Sequence, residues 1–130
     1  MVKGEREMRQ PRDIKERTFQ FSIRIVRLCQ ILDASPGVSR TLANQLLRSG
    51  TSIGANVEEA HGSQSKADFI AKMYISCKEA RETHYWLRLL VATELMPAPK
   101  LEGLIDEANQ LVAILTSIVK NTRKGKQDGK

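Results

Sequence analysis

The sequence predicts an all-α protein, an antiparallel up-down-up-down four-helix bundle. Four segments carry apolar residues at the alternating three- and four-residue spacing of a helix face, and none carries the sustained period-two alternation of a strand. The breaks between segments are short and hold helix-stopping residues: Pro36 and Gly37, Gly62, then Pro97 and Pro99. Short connections place consecutive helices side by side and antiparallel. At 130 residues and 41% hydrophobic, the chain suits one core. The bundle is therefore assigned to 13–121, between a flexible N-terminus (1–12) and a basic, disordered tail (122–130).

The first segment starts after Pro11, where Asp13 and Glu16 have capping-box spacing, and its face is Phe21, Ile25, Leu28 and Leu32, widened by Phe19, Val26 and Cys29. The second places Ala43, Leu46, Gly50, Ile53, Val57 and Ala60 on one seam. Gly62 suits the position just past its end, and Ser65 with Asp68 suits the next capping box. The third segment carries Ile70, Met73, Cys77, Ala80, His84, Leu87 and Val91. The fourth carries Leu101, Leu104, Ala108, Leu111, Leu115 and Ile118, flanked by Ile105, Val112 and Val119. Phe69, Ile75, Trp86, Leu89 and Leu90 lie off the third seam, an apolar excess that suggests an oligomer interface or wider burial within one chain.

No apolar run is long enough to span a bilayer, and the charged N-terminus has no leader pattern, so a soluble, cytoplasmic protein is expected. Cys29 and Cys77 lack disulfide-scaffold or zinc spacing and read as small core residues. The net charge of +6 is concentrated at the end. Residues 120–130 carry five Lys/Arg and one Asp, which leaves 16 basic and 14 acidic residues elsewhere. Such a tail serves either as a solvated terminus or as an electrostatic arm for nucleic acid.

The stretch RSGTSIGANVEEA (48–60) has two glycines four apart but no following Lys and no preceding strand, so it does not fit a phosphate loop. Gly50 and Gly54 fall on one helical face, each at a helix-propensity cost of about 1 kcal/mol. Close approach of a neighbouring backbone, or of a large side chain such as Trp86 or Tyr85, would offset that cost. Glu58 and His61 form an E-x-x-H pair, but no second pair completes a di-iron ligand set, and no metal or cofactor is expected. His61 instead suits a helix C-terminus. His84 reads as a core histidine without a nucleophile or acid to make it catalytic. Asn56, Glu59, Glu79 and Glu82, with Arg48 or Arg81, could form a polar network that sets helix register. No catalytic set or small-molecule substrate emerges, and the protein is expected not to be an enzyme.

Basic residues share helix faces: Arg17, Arg24 and Arg27 on the first helix, and Lys78, Arg81 and Arg88 on the third. With Lys120, Arg123, Lys124 and Lys126 of the tail, they are the candidate nucleic-acid contacts.

Residues 46–90 resemble the signature of the bacterial four-helix-bundle family named for 23S rRNA intervening-sequence proteins. The matching positions are Arg48, Ser49, Ser52, Ile53, Asn56 and Glu59 on the second helix, then Ser65, Lys66, Asp68 and Phe69, then Glu79 and Glu82. Where many members have Ala-Glu-Gly, this chain has Glu58, Glu59 and Ala60, with the turn glycine later at Gly62. The resemblance implies a homopentamer without enzymatic activity. It also implies a relation to the accessory protein of diversity-generating retroelements, which binds nucleic acid and a reverse transcriptase. The expected function is thus a homo-oligomeric bundle binding RNA or a nucleoprotein partner; the alternative is an adaptor that binds another protein without nucleic acid.

Overall fold

The computed structural model describes residues 13–128, and the segment 1–12 expected to be flexible lies outside the described residues. Four helices follow in order: α1 (Asp13–Asp33), α2 (Val38–His61), α3 (Lys66–Ala92) and α4 (Ala98–Asp128), with no strand among the described residues. Contacts across each pair descend in register. Lys15 meets Glu58 and Cys29 meets Ala43 between α1 and α2. Lys72 meets Glu59 and Arg48 meets Glu82 between α2 and α3. Tyr74 lies beside Arg123 and Cys77 reaches Thr116 between α3 and α4. Arg17 meets Glu107 and Arg24 lies against Gly103 between α1 and α4. Neighbouring helices therefore run antiparallel, and α1 and α4 approach each other least closely.

The turns answer the carbonyls that helix ends leave free. After α1, the Ser39 hydroxyl donates to the Leu32 carbonyl at 2.7 Å, and Arg40 donates to the Asp33 carbonyl at 2.9 Å. Gly37 turns the chain there with φ 94°, a conformation that favours glycine. At the start of α3 the Asp68 N–H donates to Ser65 Oγ at 3.0 Å, as the capping pattern predicts. Gly62 follows α2 as expected but has φ −98°, so the backbone does not demand a glycine there.

The left-handed residue sits instead after α3, at Glu94 with φ 62°. The Leu95 and Met96 N–H groups return to the Leu90 carbonyl at 3.0 and 3.2 Å, the usual closure of a helix end through such a residue. A side chain in this region costs about 1–2 kcal/mol, against roughly 0.5–1 kcal/mol for the greater freedom of an unfolded glycine. Glu94→Gly is expected to raise the melting temperature by a few degrees in a circular-dichroism melt. A lowered melting temperature would show that the Glu94 side chain contributes more than its backbone costs.

One hydrophobic cluster occupies the bundle interior, led by Phe21, Ile25, Leu46, Ile53, Met73, Leu87, Leu90, Leu101, Leu111 and Leu115. On α1 and α2 the residues of the expected faces are buried, except that Phe19 and Val26 are exposed, and Ile14, Thr18, Ser49 and Gly54 are buried in addition. On α3 the interior stripe leans away from the seven-residue seam. Ile70 and Cys77 are buried, but His84 and Val91 are only half-buried, and Ser76, Thr83 and Leu90 take the interior. On α4 the shift runs the other way, with Val119 buried in place of Ile118, as the drift of about 20° per heptad in a straight helix expects. Leu90 thereby leaves the apolar excess expected outside the core; Phe69, Trp86 and Leu89 are half-buried, and Ile75 is exposed.

Helix α4 also continues past 121 to Asp128, through residues expected to be disordered, while 129–130 lie outside the described residues. Extending an existing helix needs no new nucleus, and Lys, Arg and Gln favour it. No described helix is long and apolar enough to cross a membrane.

Candidate nucleic-acid interface

The glycine-containing stretch lies wholly inside α2, and its small residues serve α1. A Cβ at Gly50 would lie 2.7 Å from Cγ2 of Ile25, and one at Gly54 would lie 3.2 Å from the Thr18 backbone carbonyl. The close neighbour is thus α1 at both positions, not Trp86 or Tyr85 of α3. Thr18 is fully buried and bonds back to the Ile14 carbonyl at 2.9 Å, which lets the α1 backbone face Gly54 without an unsatisfied hydroxyl.

The opposite edge of α2 carries polar ties to α3. Arg48 pairs with Glu79 at 3.4 Å and with Glu82, and Gln45 accepts from it at 3.2 Å. Glu82 also accepts from the Trp86 indole at 2.9 Å. Of the other residues expected in this network, Glu59 pairs separately with Lys72 at 2.9 Å. Asn56 donates to the Ser52 carbonyl of its own helix at 2.9 Å, and Arg81 is exposed on a different side of α3. Between the ion pairs and the core lie buried hydroxyls that apolar periodicity does not single out. Ser76 donates to the Ile53 carbonyl at 2.8 Å, and Thr83 Oγ1 lies 2.9 Å from Ser49 Oγ and 2.8 Å from the Glu79 carbonyl. Their signal in the sequence is the spacing 76, 83, parallel to 73, 80, 87.

Histidines and cysteines take local roles. His61 Nδ1 donates to the Val57 carbonyl at 2.9 Å, and its ring packs edge-on against Phe69. Glu58, its partner in the E-x-x-H pair, faces Lys15 at 3.7 Å. His84 is half-buried rather than in the core; burial, then the Arg88 charge, lowers its pKa from the usual histidine value. Burial and then the Asp33 charge push the Cys29 thiol up to about 11, so it stays protonated at neutral pH.

The candidate nucleic-acid residues divide into two groups. Arg17 donates through Nε and Nη2 to both Glu107 oxygens at 3.1 and 2.8 Å, and to Gln110 at 3.2 Å, so it ties α1 to α4. Arg24 lies against Gly103 on the same seam, and Arg27 is exposed. Lys120, Arg123 and Lys124 are on the C-terminal half of α4, all three exposed, and among the described residues no carboxylate pairs with them. The Lys126 side chain lies outside the described residues. The antiparallel packing sets this half of α4 beside the first half of α3, where the Tyr74 ring has both Lys78 and Arg123 within about 6 Å of its centre.

A second surface feature is apolar. Two shallow pockets lie between α1 and α2, one lined by Phe19, Ser22, Gly54, Ala55 and Glu58, the other by Val26, Cys29, Asp33, Ala43, Asn44 and Leu47. Phe19 is 56% exposed, and Val26 and Leu47 each more than a third. The largest apolar exposure therefore includes α1 and α2, where the sequence placed its excess on α3.

The sequence model of the family described as 23S rRNA-intervening sequence protein matches residues 11–117. Among solved structures, a protein of unknown function from the S23 ribosomal protein family of Bacteroides thetaiotaomicron is 42% identical, with a TM-score of 0.77. That match covers 82% of this chain and 98% of the other. No curated protein matches the chain.

Proposed function

Because the chain belongs to the 23S rRNA-intervening sequence protein family, we propose that it is a non-enzymatic, homo-oligomeric bundle that binds RNA, alone or within a nucleoprotein. The observation that carries this reading is the separation of its cations. Lys15, Arg17, Arg40, Arg48 and Lys72 are held by carboxylates, whereas Lys120, Arg123 and Lys124 stand together without such partners among the described residues. Uncompensated cations in one place attract a polyanion and release its counterions on binding. The exposed apolar residues along α1 and α2 support self-association, because copies of the chain can cover Phe19, Val26 and Leu47 while leaving α4 free. Five copies, the number the family resemblance implies, would multiply the basic surface around a ring.

Fluorescence anisotropy with labelled RNA tests the binding. Affinity is expected to fall steeply with salt, and deletion of 120–130 is expected to flatten that dependence by about 0.7–0.9 for each phosphate no longer neutralised. Absence of binding at low salt would overturn the RNA reading in favour of a protein adaptor. Light scattering on a sizing column tests the assembly, and a clean monomer would overturn it.

A further inference from the structure

Five residues of α3 outside the apolar core follow one another at four- and three-residue steps: Tyr74, Lys78, Arg81, Tyr85 and Arg88. All five are exposed, with Tyr74 at 46% and Tyr85 at 51%. The steps keep them on one side of the helix, over about 21 Å at 1.5 Å per residue. The acidic residues between them turn elsewhere, since Glu79 and Glu82 both engage Arg48 on the α2 side. Helix α4 adds a further cation, for the Arg123 guanidinium lies 6.0 Å from the centre of the Tyr74 ring and the Lys78 ammonium lies 5.9 Å from it. Two cations thus share one aromatic ring, with no carboxylate among their described ion-pair partners.

Resting on the RNA reading above, we propose that this stripe is a seat for single-stranded RNA, with bases stacked on Tyr74 and Tyr85 and phosphates held by Lys78, Arg81, Arg88 and Arg123. The chemistry of the stripe distinguishes single strand from duplex. Lysines and arginines alone would hold any polyanion, but an exposed tyrosine ring adds a flat apolar surface that only an unpaired base can cover. An aromatic–base stack is largely independent of base identity, so the seat is tolerant of sequence. A protein partner is less well matched, because the face has no large aliphatic side chain among the five to form a dry centre.

The test uses the full chain and anisotropy with two labelled probes, an oligouridine of about 15 nucleotides and an RNA duplex of the same length. The intact protein is expected to prefer the single strand. Replacing Tyr74 and Tyr85 together by leucine is expected to weaken oligouridine binding by about tenfold or more, with little change for the duplex. Replacing both by phenylalanine, which keeps the rings, is expected to retain binding. Lys78→Ala and Arg81→Ala are each expected to lower the salt slope by about one unit. Equal oligouridine affinity in the leucine variant, or preference for duplex, overturns the stripe while leaving the broader RNA reading in place. Failure of the intact protein to bind either probe at low salt overturns both. Circular-dichroism spectra and light scattering of each variant distinguish weakened binding by a folded protein from unfolding.

Discussion

Gly50→Leu is expected to destabilise the bundle by about 3 kcal/mol, the upper part of the usual cost of overfilling a core. The conflict begins at the first added atom, because a Cβ at this position meets Ile25 at 2.7 Å from Cγ2 and 3.0 Å from Cγ1. Ile25 cannot simply swing aside: it is fully buried, and its branched β-carbon leaves it one main rotamer in a helix. Either α1 moves away from α2 or the side chains leave their rotamers. The gain in helix propensity on replacing glycine, about 1 kcal/mol, is smaller than this strain. A urea or thermal melt followed by circular dichroism measures the loss, and an unchanged midpoint with an unchanged assembly would remove the packing role from Gly50. The double variant Gly50→Leu/Ile25→Ala makes the mechanism separately visible. Ile25→Ala alone costs about 2–5 kcal/mol through its cavity, but when Gly50→Leu is also present the new side chain fills that cavity. The two changes together are therefore expected to cost much less than their sum.

Thr83→Val is expected to cost about 1–3 kcal/mol although it preserves shape and adds apolar surface. The Thr83 hydroxyl lies within hydrogen-bond distance of Ser49 Oγ and the Glu79 carbonyl, and both Thr83 and Ser49 are fully buried. Valine leaves the Ser49 hydroxyl with only the Leu46 carbonyl, at 3.5 Å. A buried hydroxyl with so poor a partner loses its hydration without an adequate replacement. Removing the second hydroxyl as well, in Ser49→Ala/Thr83→Val, is expected to recover most of the loss, because no orphaned group remains. If the double variant is as unstable as the sum of the single ones, the hydroxyl pair is not the cause. Because this pair and the Ser76 bond to Ile53 tie α2 to α3 at fixed points, they resist sliding of one helix along the other.

Periodicity makes the helices legible and also sets its own limit. An apolar residue every three or four positions identifies which side of a segment faces inward, and this is sufficient for α1 and α2. On the longer α3 and α4 the seven-residue spacing loses the interior stripe, so it assigns His84 and Ile118 to seams that Thr83 and Val119 occupy more deeply. Tyr74 escapes notice, and Tyr85 is read only as packing for the glycines. Their bearing comes from sharing a side with Lys78, Arg81 and Arg88, joined from another helix by Arg123. Arg17 shows the converse: its charge suggests a phosphate contact, but Glu107, ninety residues away in sequence, already holds it.

By itself the sequence determined the four helices, the turns between them, the family signature at 46–90 and the basic character of the chain's end, all properties of local spacing, propensity and composition. The tertiary structure decided which neighbour fills the space over Gly50 and Gly54 and which cations are neutralised across helix pairs. It also decided that α3 and α4 together bring Lys78 and Arg123 to one tyrosine. The division has a physical origin. Helix formation depends on residues a few positions apart, whereas burial and charge pairing depend on which surfaces meet once the helices are packed.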